Sequence, residues 1–232
     1  MTLILCAMKL EAKPFLKALE SLKPEKSAFY KAYYGEIAGI KVAVAICGVG
    51  IVRTAAAVEA LLDRHDISKV IMSGTAGGID SKLKIGDTVV SEEILFHDKN
   101  ENLLLSDVPD ESGTIFKADE ILLDIARIAI DKNPPDHPVY FGRITTGKKF
   151  VTSKIRDIIT REFRPLCSDM ETAAAAQVCS LKGIPFVAVR SISDSADNSG
   201  FTSFIRYSSL ASEHSYIVVK RMLYELGKAG YY

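Results

Sequence analysis

The chain has 232 residues, 48% of them hydrophobic, and its 29 basic side chains are balanced by 29 acidic ones. That length supports one sizeable core and a single domain over 1–232; the even charge, with no basic stretch interleaved with aromatics, argues against a nucleic-acid partner. Cys6, Cys47, Cys167 and Cys179 sit in or beside apolar segments with no C-x-x-C pair and read as reduced core residues, and no run nears the roughly 18 apolar residues of a membrane span, so a soluble cytoplasmic protein is expected.

Apolar strand-like runs alternate with amphipathic helical ones. This order predicts an α/β fold of three layers, αβα, with a mixed, mostly parallel central sheet flanked by helices. Leu3 to Ala7 reads as the first strand, and Leu10, Phe15, Leu16 and Leu19 recur at helical spacing after it. Tyr33–Ile37 and Lys41–Ile46 form a hairpin pattern turned near Ala38-Gly39. Ile51–Leu62 is helical, Val70–Ser73 a buried strand, and Gly86–Leu95 a strand rich in β-branched residues. The polar stretch from Asp98 to Gly113 reads as a long loop around Leu103-Leu104-Leu105, of the kind that is functional or mobile in compact domains. A helix over Ala118–Ile130, a strand over Val139–Thr145, a helix over Ser153–Phe163 and a long closing helix over Phe204–Leu226 complete the pattern.

The most informative stretch is Ser168-Asp169-Met170-Glu171, followed one helix and one strand later by Arg190-Ser191-Ile192-Ser193-Asp194. Thr172–Gln177 is helix-forming, Gly183-Ile184-Pro185 stops the helix, and Phe186–Val189 is a continuous apolar strand of the kind buried on both faces of a parallel sheet. Ligands of open α/β sheets bind outside the carboxyl ends of the strands, which is where Ser193 and Asp194 fall. Two acids there suit chemistry on a sugar; the plainer alternative is that Asp194 caps a turn and Glu171 complements a helix dipole.

Two glycine clusters follow strands, Gly48-Val49-Gly50 and Gly74-Thr75-Ala76-Gly77-Gly78. Arg53 stands where a dinucleotide fingerprint requires its third glycine, and no Gly-Lys-Ser/Thr makes a P-loop. The clusters are either tight turns or places where backbone approaches a ligand.

Together with Ala7-Met8 and Glu11, Gly86-Asp87-Thr88-Val89-Val90-Ser91, His97-Asp98, Phe116-Lys117-Ala118-Asp119, Gly147 and Phe150-Val151, these motifs resemble the nucleoside phosphorylase/nucleosidase superfamily, on the side of the 5′-methylthioadenosine/S-adenosylhomocysteine nucleosidases. The resemblance runs over nearly the whole chain. It implies that Asp194 protonates N7 of a departing purine and that Glu11 orients and deprotonates water. By the same resemblance Glu171 binds the ribose hydroxyls and Arg190 positions carboxylates. Met170 packs on the sugar, Phe150 stacks on the base and the Val151 backbone reads its edge. Met8, Val49, Thr75, Ser193 and Phe204 match pocket-lining positions. It implies a homodimer acting on a small purine nucleoside, with no metal and no organic cofactor. The chemistry is coherent: an N-ribosidic bond breaks through a sugar cation that carboxylates stabilise, and a purine leaves well only when protonated, which takes an acid of raised pKa.

Phosphorylases of the same superfamily hold phosphate with arginine. Where related bacterial phosphorylases place that arginine this chain has Met72, and Met8-Lys9-Leu10-Glu11 brings a carboxylate in place of their Gly-Asp-Pro-x-Arg, so hydrolysis is favoured over phosphorolysis. Three departures bear on the substrate. Lys99 to Leu105 replaces the usual segment lining the 5′-substituent pocket, Lys148-Lys149 replaces a Gly-Asp-x-Phe pattern next to Phe150, and Asp169 replaces glutamate before Met170. The lysine pair either favours an anionic substrate or is simply solvated; a futalosine-type hydrolase or a phosphorylase is the alternative activity. Storage or binding relatives would be expected to lose an acid, whereas Glu11, Glu171 and Asp194 are all present. His97 and His214 read as structural.

Overall fold

The computed structural model describes residues 1–98, 115–197 and 200–230. In chain order the elements are β1 (Thr2–Cys6), α1 (Lys9–Ala18), β2 (Glu20–Lys26), β3 (Lys31–Ile37), β4 (Ile40–Ile46), α2 (Ile51–Arg64), β5 (Lys69–Gly78) and β6 (Thr88–Phe96). They continue with β7 (Phe116–Lys117), α3 (Glu120–Lys132), β8 (Val139–Thr146), α4 (Ser153–Phe163), β9 (Cys167–Asp169), α5 (Thr172–Leu181), β10 (Phe186–Asp194) and α6 (Gly200–Lys228). The loop expected around Leu103–Leu105 lies outside the described residues.

The two-residue period of a strand divides each apolar run between two cores. Leu3 and Leu5 of β1, Val70 and Met72 of β5, and Phe186 and Ala188 of β10 pack with Ala57, Val58 and Leu61 of α2 and Ala173, Ala176 and Cys179 of α5. Their alternates Ile4, Cys6, Ile71, Val187 and Val189 face the other way, onto Phe15 of α1, Leu122 and Ala126 of α3, and Val218, Val219 and Met222 of α6. Helices therefore cover both faces, giving the three layers expected. Each such aliphatic side chain, fully buried, contributes about 1.5–3 kcal/mol, so the sheet is held mainly from its two sides.

The sheet is mixed and, by its paired residues, mostly parallel, as expected. β1–β4, β1–β5, β5–β10, β6–β8 and β8–β9 are parallel. β2–β3, β3–β4, β5–β9, β6–β7 and β6–β10 are antiparallel. The pairings β5–β10–β6–β8–β9–β5 close a ring, from which β1, β4, β3 and β2 extend as an open wing. On the β5 edge opposite β10, β1 pairs only over Lys69–Met72 and β9 only at Gly77 and Gly78. Between them the edge at 73–76 is open, and the functional cavity is built there.

Several boundaries differ from the sequence reading. The β3–β4 hairpin turns at Ala38-Gly39 as expected, with φ of 54° and 76°, the two positive values that match a two-residue turn to strand twist. β2 is polar and almost fully exposed, so it has no apolar alternation to read; it exists by pairing with β3, and Pro24 is tolerated because it is an edge strand. The second glycine cluster is not a turn: 74–78 lie within β5. α6 begins at Gly200, four residues before Phe204. β9 is three residues long, too short to carry a period.

Candidate active site

Glu11 lies in the first turn of α1, where a carboxylate can reach back to the amides that precede the helix. Its Oε2 accepts from the amides of Ala7 and Met8, each at 2.9 Å. Its Oε1 accepts from the Thr75 amide at 2.9 Å and the Thr75 hydroxyl at 3.1 Å, which are donors on the open edge of β5. Glycine at 74 is what admits it, since a Cβ there would stand 2.4 Å from Glu11 Oε1 and 2.5 Å from Arg190 Nη1. Of the four donors the Thr75 hydroxyl is the longest and can rotate away, so it is the one that can yield its lone pair to a bound water.

Asp169, at the end of β9, takes over the capping of α5. Its Oδ1 accepts from the amides of Glu171 at 3.2 Å and Thr172 at 3.1 Å and from the Thr146 hydroxyl at 2.6 Å, and its Oδ2 accepts from the Thr172 hydroxyl. Glu171, the N-cap residue itself, makes no side-chain cap. Its carboxylate is free to point across to the first glycine cluster, where Oε1 accepts from the Gly50 amide at 2.8 Å.

Arg190, in β10, is wholly buried behind these acids. Its Nε is 2.8 Å from Asp169 Oδ2, its Nη2 is 3.6 Å from Glu171 Oε2, and its Nη1 is 3.9 Å from Glu11 Oε1. Nε also donates to the Thr172 hydroxyl at 3.0 Å, and Nη2 lies 3.3 Å from the sulfur of Met72. Burial opposes the guanidinium charge, but Asp169, Glu171 and Glu11 outweigh it and raise the Arg190 pKa. Burial pushes the Glu171 carboxyl up to about 7; Arg190 pulls against this, while Asp169 and Glu11 add to it.

Asp194 closes β10 in a different setting. Its Oδ2 accepts from the Ser193 hydroxyl and its Oδ1 from the Ala196 amide, both at 2.9 Å, and burial raises its pKa against these two donors. Glycine at 200 brings an aromatic cluster close: a Cβ there would lie 2.9 Å from the Phe150 ring and 3.2 Å from Asp194 Oδ1. Phe150 meets Phe201 and Phe204 edge-on, with ring centroids 6.4 Å and 6.1 Å away.

These groups line one cavity of about 240 Å³. Met8, Glu11, Val49, Thr75, Phe150, Val151, Met170, Glu171, Ser193, Asp194 and Phe204 all face it. Arg190 does not: it touches no cavity surface and stands behind the acids, where the positioning role implied by the resemblance would place it. Ala76, Gly77, Lys149, Ser168, Ala196 and Phe201 are lining residues the sequence reading did not name as such. Phe201 stands three residues before Phe204 on the same helix, so a helix begun at Gly200 exposes the pair as one face. His97 is set behind the wall, 3.4 Å from the Ser168 hydroxyl, and His214 lies 2.6 Å from the Gly86 carbonyl; neither lines the cavity.

Residues 2–223 match the model of the Phosphorylase superfamily. A 5′-methylthioadenosine/S-adenosylhomocysteine nucleosidase of Marinomonas sp. (strain MWYL1) is 35% identical over 196 residues, 82% of this chain and 84% of that one. The crystal structure of a nucleosidase of the same description from Neisseria meningitidis, in complex with methylthio-immucillin-A, superposes with a TM-score of 0.90 at 30% identity, covering 97% of this chain and 99% of that one. The futalosine hydrolase of Helicobacter pylori superposes with a TM-score of 0.89 at 26% identity, covering 97% of each chain. The chain therefore belongs to the phosphorylase superfamily, among the relatives of the 5′-methylthioadenosine/S-adenosylhomocysteine nucleosidases.

Proposed function

We propose that this protein is an N-glycosyl hydrolase that cleaves the N-ribosidic bond of a 5′-modified adenosine, such as 5′-methylthioadenosine or S-adenosylhomocysteine, and releases adenine. The observation that carries this reading is the convergence, in one cavity, of an arginine-backed pair of carboxylates, Glu11 and Glu171, with a separate carboxyl of raised pKa, Asp194. The pair supplies negative charge where the ribosyl cation develops, in a buried setting that strengthens the interaction. Glu171 accepts the ribose hydroxyls and Met170 packs on the sugar. Phe150 stacks on the base, Val151 reads its edge through the backbone, and Asp194 gives a proton to N7 as the bond breaks. Glu11 holds the attacking water in exchange for the Thr75 hydroxyl and takes its proton.

Water is the nucleophile in this reading because Met72 is spent on the buried Arg190 and, among the described residues, the cavity wall contains one cation, Lys149. Phosphate would have to approach two carboxylates with little to hold it. Lys149 also favours a second reading on the substrate side, in which the 5′ group is anionic, as the likeness to a futalosine hydrolase permits. A panel of methylthioadenosine, S-adenosylhomocysteine, adenosine, inosine and futalosine, assayed with and without phosphate for free base and for sugar or sugar phosphate, tests all of these. Release of adenine and free sugar independent of phosphate is expected; sugar phosphate, or no cleavage at all, overturns hydrolysis.

The protein acts as a homodimer in this reading. The sequence argument from Leu103–Leu105 falls outside the described residues, but Val52, Phe201 and Ile205, each more than 60% exposed, present apolar surface on the segments that carry Val49 and Phe204 at the cavity. Sedimentation showing a monomer at micromolar concentration overturns it. Among the described residues no helix is long and apolar enough to cross a membrane, and the four cysteines are free and buried, which supports a cytoplasmic location.

A further inference from the structure

Away from the cavity, one group of ligating side chains has no part in the chemistry above. His137, just before β8, is buried, and its ring stacks on His214 of α6 with centroids 3.9 Å apart and planes 7° from parallel. Ligating atoms of Asp136, His137 and His214 all lie within 4.8 Å of one another. None of the three lines the cavity.

The hydrogen bonds fix which nitrogens are free. His214 Nδ1 is 2.6 Å from the Gly86 carbonyl, which can only accept, so Nδ1 carries the proton and Nε2 of the neutral ring is a bare lone pair. Glycine at 86 makes this seat, since a Cβ there would stand 3.2 Å from both Nδ1 and Cε1 of the ring. His137 Nδ1 is 3.2 Å from Asp136 Oδ1, and its Nε2 is buried with no hydrogen-bond partner. Leaving such a nitrogen unpartnered is destabilising unless a ligand takes it up. In its neutral form each ring would thus have Nδ1–H facing an oxygen acceptor and Nε2 as the bare nitrogen, which is how metal-ligating histidines are oriented by their outer partners.

We propose that His137 and His214, assisted by Asp136, form a binding site for a divalent transition metal of the zinc type, with the two Nε2 atoms as ligands. Imidazole nitrogen backed by carboxylate selects zinc, nickel or copper over magnesium and calcium. A turn of the His137 ring about its soft terminal torsion converges the two lone pairs on one ion, and water completes the shell. Burial, with His214 and Arg221, lowers the His137 pKa against the pull of Asp136. Arg221 also opposes a nearby cation and sets a limit on affinity, offset by the Asp136 charge. The metal would tie the segment entering β8 to α6 and so stabilise the fold without entering the reaction.

The test is a calorimetric titration of tag-free, chelator-stripped protein with zinc sulfate near neutral pH. Thermal unfolding and base release are followed on the same samples. The expected result is one zinc per chain, an unfolding midpoint raised by several degrees and unchanged turnover. Magnesium should produce none of these changes. His137→Ala and His214→Ala should each abolish binding, while His65→Ala, which removes another partly buried histidine beside an acid, should retain it. Asp136→Asn, which keeps both rings, should weaken binding and covers the case in which a histidine variant fails to fold. Wild-type protein that takes up no zinc, or uptake that survives in both histidine variants, overturns the site.

Discussion

At one end of the cavity Glu11, Asp169 and Glu171 gather around a single guanidinium, whereas at the other Asp194 lies beside Phe150, Phe201 and Phe204, and among the described residues no ion pair holds it. In the first setting a buried cation, Arg190, pulls the Glu171 carboxyl down against the burial that raises it. In the second no such cation opposes burial, which raises the Asp194 pKa against its two hydrogen-bond donors. One cavity thus contains a region suited to stabilising a cation and another suited to donating a proton, and the division of labour follows from where Arg190 was placed.

The sharpest way to break this comparison is at the proton donor. Asp194→Asn keeps the shape and both hydrogen-bond partners but removes the acid, and should lower kcat by about 10²–10⁴-fold with an unchanged unfolding midpoint. Near-normal turnover would move the acid elsewhere. The opposite region is tested by Arg190→Leu, which strands buried acids without their cation and should cost about 3–5 kcal/mol in a urea unfolding experiment, with loss of activity as a consequence. A variant as stable as the parent would mean that the acids are neutral without it.

Glu171 links the two regions through pH. Its carboxyl is raised from 4.5 to about 7 in the folded protein, so the stability it contributes is full below its unfolded range and is lost as pH rises through about 7. Glu171→Gln should therefore flatten the fall in stability between acidic and neutral pH, an effect of a few kcal/mol at most. It should also remove the rise of kcat/KM with pH that ionisation of Glu171 gives the wild type. An unchanged pH profile in both measurements would exclude Glu171 as the titrating group. The smallest effect is expected at the aromatic end, where Phe201→Ala leaves Phe150 and Phe204 in place and should raise KM a few-fold at constant kcat. A fall in kcat instead would show that the cluster controls the Asp194 proton and not only the fit of the base.

Much of the site was legible because its residues are close in sequence to elements that announce themselves. Asp194 ends an apolar strand and Glu171 opens a small-residue helix, and strand ends in α/β proteins are where ligands bind; Glu11, in the first turn of α1, was named through the family resemblance. Phe201 was missed because the start of α6 was read too late, and the role of Asp169 as the cap that releases Glu171 needs the hydrogen bonds to be seen. The polar strand β2 left no trace, since its only reason to be a strand is its partner β3.

The order of apolar and amphipathic segments was enough to determine the three-layer α/β plan, because side-chain period is encoded locally, and position at a helix start or strand end singled out Glu171 and Asp194 as candidate acids, whereas Glu11 was named through the family resemblance. Only the tertiary structure decided that the sheet closes on itself, that the glycines of 74–78 belong to a strand, and that Arg190 stands behind the cavity instead of in it. Those features depend on which segments meet across the sheet. Glu11, Thr75, Asp169 and Arg190 come from four separate elements, and nothing local to any one of them records that they share one buried knot of charge.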